Sequence, residues 1–89
     1  MKLQELLDKY VKSAEAVLAE IEIVQSVQVD NEKVSSVVET AKRYLEDAKY
    51  YRDRKRFETA LASIAYSEGL LDALKLLEVA EFSWPKKKR

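Results

Sequence analysis

The chain of 89 residues contains one glycine and one proline. Tight turns draw on both, glycine for positive φ and proline for a preset φ, so a fold with many turns would need more of each. The chain must therefore be built from few, long elements with short connections. Alanine, leucine, glutamate, lysine and arginine dominate the composition, and these are the strong helix formers. A single all-α domain is the expectation, since 89 residues are too few for two.

Hydrophobic spacing locates three helices. Leu3, Leu6, Leu7, Tyr10, Val11, Ala14, Val17, Leu18, Ile21 and Val24 recur at three and four, which predicts an amphipathic helix over about 2–26. The stretch from Glu20 to Asp30 shifts toward alternation and is rich in β-branched residues. A lone strand there would have no partner, so it reads as a helix end passing into a loop. Asp30 or Asn31 offers an N-cap, with Glu32 in the first turn, for a second helix over about 31–54. Its apolar stripe is Val34, Val37, Val38, Ala41, Tyr44, Leu45, Ala48 and Tyr51. A basic turn, Arg52, Arg54, Lys55 and Arg56, leads to a third helix over about 57–78. That helix is apolar nearly all round, which predicts a central position or a cover on a second side. Pro85 stops any continuation, and Lys86, Lys87, Lys88 and Arg89 form a basic tail. The reading is one antiparallel up-down-up three-helix bundle over 1–82, helix three central, with a tail over 83–89.

Composition removes much chemistry. There is no cysteine and no histidine, so disulfides, thiolate sites, cysteine nucleophiles and the commonest general base and metal ligand are absent. Sixteen basic and sixteen acidic residues cancel, so no global field draws in nucleic acid or membrane. No apolar run approaches the roughly 20 residues of a membrane span. The N-terminus lacks the apolar core of a signal peptide, and a cytoplasmic protein with no cofactor and no metal is expected.

Three features could carry function. Ala62, Ala65, Gly69 and Ala73 fall within about 80° of arc on helix three. This seam of small residues lets another backbone approach closely, either helix one or two of the same chain or a partner helix. Leu70, Leu74 and Leu77 lie on a neighbouring side and complete a candidate interface. Glu68, Asp72 and Lys75 form a polar cluster within about 60°. Asp72 and Lys75 are spaced to neutralise each other. Glu68 and Asp72 are like charges at i,i+4, for which Arg43 or Lys49 is a candidate bridge. Two carboxylates without a histidine, a nucleophile or a glycine-rich loop are poor grounds for catalysis. The basic turn and the basic tail are the remaining clusters, placed at opposite poles of the bundle and each readable as a solvated cap or as a phosphate contact.

The segment 41–73 resembles the archaeal family known as domain of unknown function 357. The resemblance rests on Tyr44, Ala48, Tyr51, Phe57, Ala60, Leu61, Tyr66, Gly69, Leu71, Asp72 and Ala73. Such proteins often carry glycine in the turn where this chain has Lys55. The resemblance implies an archaeal, cytoplasmic, helical protein, and it places no catalytic residue. The same hairpin is similar to tetratricopeptide repeats and to microtubule-interacting-and-transport domains, which bind peptides or helices along a groove. A non-enzymatic interaction module, binding a protein partner or itself through helix three, is the leading expectation. A nucleic-acid or nucleotide-linked accessory protein using the basic turn and tail is the alternative.

Overall fold

The computed structural model describes residues 2–24 and 29–85. Three helices, α1 (Leu3–Glu20), α2 (Asn31–Asp53) and α3 (Phe57–Leu76), are joined by a two-stranded clasp, β1 (Glu22–Ile23) and β2 (Ala80–Glu81). Partners along the helices fix the directions. Asp8 of α1 meets Arg52 near the end of α2, Ser67 of α3 reaches the Ala41 carbonyl of α2, and Leu7 shares a cluster with Ala60 while Val17 shares one with Leu71. Hence α1 and α3 run parallel and α2 runs against both, the up-down-up order expected. α3 packs against both other helices, and α2–α3 is the tighter pair.

The core forms three layers along the bundle. Leu7, Val11, Ala14, Leu45, Ala48, Ala60 and Ile64 fill the end near the α2–α3 turn. Val17, Ala41, Leu71 and Phe82 fill the middle. Val34, Val38, Leu74, Val79 and Ala80 fill the far end. Two of these layers use residues from beyond α3, so the C-terminal segment is part of the core.

Each helix boundary has a local cause. The Lys2 N–H donates to Glu5 Oε1 at the start of α1 (3.3 Å). Asp30 is the α2 N-cap and its carboxylate accepts from the Glu32 N–H at 3.0 Å. The ends of α2 and α3 are both Schellman turns built without glycine. After α2, Lys55 donates to Arg52 O and Arg56 to Tyr51 O, with Lys55 at φ 63°. After α3, Glu78 donates to Lys75 O and Val79 to Leu74 O, with Glu78 at φ 62°.

Two boundaries depart from the sequence reading. α1 ends at Glu20 rather than near residue 26, because Ile21 turns extended and Glu22–Ile23 pairs antiparallel with Ala80–Glu81. The strand dismissed for want of a partner finds one after α3. Residues 25–28, where the helix was expected to end and a loop to begin, lie outside the described residues. α3 ends at Leu76, stopped by the left-handed Glu78 and not by Pro85. The chain then stays docked as far as Trp84.

Candidate functional site

The inward stripe of α3 is Ala60, Ile64, Ser67, Leu71 and Leu74, all buried. These recur at four, three, four and three, one face of a helix. Ser67 is the buried polar residue of this stripe, and its hydroxyl donates to the Ala41 carbonyl across the α2–α3 interface at 2.8 Å. Close approach of the two helices is thus made by Ala41, Ala48, Ala60 and Ser67. It is not made by the seam around Gly69.

That seam lies on the opposite side of α3. Ala62, Ala65, Gly69 and Ala73 are all exposed, and among the described residues a Cβ added to Gly69 would meet nothing within 4 Å. The expectation that a helix of the same chain crosses here is corrected. The reason is geometric. The shortest dimension of the Cα trace is 17 Å, room for two layers of helices about 10 Å wide, so every helix has an outside.

The open face also carries large apolar groups. Leu76 is 83% exposed, Leu77 64% and Tyr66 54%. From Ala62 to Leu77 the residues on this arc, Ala62, Ala65, Tyr66, Gly69, Ala73, Leu76 and Leu77, carry no charge. Of the other candidate interface residues, Leu74 is buried in the core and Leu70 packs half-buried beside Phe82 and Trp84. Leu74 therefore leaves the candidate interface, and Tyr66 and Leu76 join it. Their signal was present in the sequence, since both fall on the arc opposite the Ile64–Leu71 stripe. Tyr66 leans on Tyr44 of α2, ring centroids 4.5 Å apart.

Two members of the polar cluster, Asp72 and Lys75, are taken up in fastening the C-terminal segment. Asp72 Oδ1 accepts the Trp84 indole N–H at 2.6 Å, and the Lys75 ammonium stands 5.1 Å from the Phe82 ring centroid. The expected neutralisation of Asp72 by Lys75 gives way to these contacts. Glu68 is engaged as well. Lys49 does not bridge the α3 acids. It binds Glu15 of α1 at 2.8 Å and Glu46 at 3.4 Å, and the hydrogen bond to Glu15 is the main cause that raises its pKa above the usual lysine value. Among the described residues no group of three carboxylates, histidines or cysteines could hold a metal ion.

The basic turn is self-occupied. Arg52 pairs with Asp8 and Asp53. The Arg54 guanidinium lies 3.6 Å from the Tyr50 ring centroid, and that of Arg56 lies 5.5 Å from the Tyr51 centroid. Lys55 adopts the left-handed conformation for which a glycine is suited. Lys86, Lys87, Lys88 and Arg89 lie outside the described residues.

Fold and site together define a small all-α bundle with a strand clasp, in which one helix presents an uncharged face to solvent. The chain belongs to the family described as Protein of unknown function (DUF357), whose model matches residues 9–80. The match takes in most of α1, all of α2 and α3, and the first residue of β2. Phe82 and Trp84 lie beyond it. No curated protein and no solved structure is significantly similar to the chain. Among the described residues no helix is long and apolar enough to cross a membrane.

Proposed function

We propose that this protein is a non-enzymatic interaction module that takes a helix, that of a second copy of the chain, along the open face of α3. The observation that carries the reading is that, among the described residues, no atom lies within 4 Å of a Cβ placed on Gly69. A glycine in a helix interior costs about 1 kcal/mol relative to alanine, and no packing among the described residues requires it. The face also suits its own copy. Two α3 helices crossing antiparallel at Gly69 set Ala65 against Ala73 and Ala62 against Leu76, so the bulky end of one seam meets the small end of the other. With no charge on the arc, a two-fold axis brings no like charges together there. The setting proposed with this function is the archaeal cytoplasm.

The test is sedimentation velocity of wild type and Gly69→Leu across a concentration series. Self-association in the wild type that Gly69→Leu abolishes, at unchanged helicity, supports the proposal. Strict monomers at every concentration would refute the second copy as occupant. In that case, capture of a different protein by wild type but not by Gly69→Leu would reassign the face to another protein's helix.

A second reading is nucleic-acid binding at the basic turn. The half-exposed Tyr50 with Arg54 stacked on it favours this reading, since aromatic and guanidinium planes both stack on unpaired bases. It requires salt-sensitive RNA or DNA binding weakened by Arg54→Ala and Lys55→Ala. No binding at low salt removes it.

A further inference from the structure

Residues 79–84 form a strap across the ends of α1 and α3, with forces acting both for and against its closure. Beyond the burial of Val79 and Ala80 and the pairing with β1, three contacts hold it. Phe82 is 8% exposed and clusters with Val17, Ala41 and Leu71. Trp84 meets Phe82 edge-on at 5.5 Å and donates to Asp72. The Ser83 N–H donates to Glu20 Oε2 at 3.3 Å.

Three features weaken it. The hinge residue Glu78 carries a side chain in the left-handed region, at φ 62°. Glu22 and Glu81, both exposed, are direct partners across the strand pair, which sets like charges opposite each other. The ladder itself is two residues long on each strand. Beside the hinge, Leu76 and Leu77 stand in solvent.

We propose that the strap is exchangeable: residues 79–84 of one copy dock against β1 and the α1–α3 groove of a second copy, and the reverse, with the hinge at Leu77–Glu78 straightened. The occupant is identified by fit, since every contact the strap makes within one chain is available unchanged between two. Straightening also conserves backbone bonds. The turn bonds from Glu78 to Lys75 O and from Val79 to Leu74 O are replaced by helical bonds from Glu78 to Leu74 O and from Val79 to Lys75 O. The left-handed residue disappears, and Leu76 and Leu77 of the two extended helices gain apolar neighbours. A short hinge under strain is the circumstance in which exchange is favoured. This inference does not rest on the α3 face around Gly69.

The chain has no cysteine, which allows a direct test with the double variant Glu22→Cys, Glu81→Cys. Both positions are exposed and paired. After incubation dilute or concentrated, then oxidation, a non-reducing gel separates an intrachain disulfide from a covalent dimer. The expected result is monomer when dilute and a dimer that grows with concentration. Adding Glu78→Gly removes the cost of the left-handed hinge in the closed form. It should weaken the dimer by about fivefold per hinge, roughly 25-fold for two. Intrachain disulfide alone at every concentration overturns the proposal, as does a dimer indifferent to Glu78→Gly. A dimer formed through the Gly69 face would keep both disulfides intrachain, so the two associations are told apart.

Discussion

Substituting Gly69 by alanine should stabilise the isolated chain. The helix runs seven residues beyond Gly69, to Leu76, so the position is interior and helix propensity applies in full. A Cβ there meets nothing within 4 Å, so no steric cost opposes the gain. Glycine is about 0.8–1 kcal/mol less favourable than alanine in a helix interior, and part of that gain comes from an unfolded chain with fewer states to lose. For a domain of this size, 1 kcal/mol moves the melting temperature by about 4–8 °C. The assay is urea unfolding at a concentration low enough to keep the protein monomeric, followed by helical circular dichroism and supported by a thermal scan. The denaturant slope should not change. If Gly69→Ala is neutral or destabilising under those conditions, some part of the chain does pack at Gly69, and the case for an open face fails. A glycine that the isolated fold would do better without is what points to an occupant.

Three further outcomes follow from the geometry. Lys55→Gly should raise stability by about 1 kcal/mol, because a side chain in the left-handed region costs roughly 1–2 kcal/mol, part of it offset by the greater freedom of glycine when unfolded; a lower urea midpoint would contradict the turn geometry. Ser67→Ala should cost about 1 kcal/mol, the net worth of a buried hydrogen bond, and no more, since the Ala41 carbonyl keeps its place in the α2 helical ladder; a loss several times larger would mean that Ser67 does more than tie α2 to α3. The Lys49 pKa is raised above 10.5, chiefly by its hydrogen bond to Glu15, so its contribution is complete below that value and is lost as pH climbs through the raised one; Glu15→Gln should shrink the stability lost on going from pH about 9 to pH about 11.5, and identical losses in both proteins would show that the pair contributes nothing.

The sequence was most legible where one face of a helix is apolar and the other polar. The stripes of α1 and α2 point one way, and Leu7, Val11, Ala14 and Val17 are buried as their spacing requires. The Asp30 cap was legible because its carboxylate acts on the next turn alone. The third helix was harder to orient. With apolar residues all round, its pattern gives length but not direction, and a stripe with a serine in it, Ala60–Ile64–Ser67–Leu71, is the one that turns inward. The seam was legible as a feature while its side was not, because a run of small residues fits a tight crossing and an open face equally well. The clasp was illegible for a different reason. Glu22–Ile23 becomes a strand only through Ala80–Glu81, a partner nearly sixty positions away that no local window contains. Both helix ends were also disguised, since Lys55 and Glu78 stand where the turn chemistry calls for glycine.

We propose that the α3 face, open in one chain, is closed by a second. Thiol reactivity tests it most directly, because the chain has no cysteine of its own. Ala73→Cys places a single thiol on the exposed seam, and Ser67→Cys places one on the buried stripe of the same helix as a reference. Ala73→Cys is expected to react with a maleimide at nearly the rate of a free thiol in dilute protein. It should become protected as concentration rises, while Ser67→Cys stays slow throughout. Reaction of Ala73→Cys at one fast rate over the whole concentration range would contradict the pairing of this face with a second copy, and a slow rate even in dilute protein would contradict the open face itself.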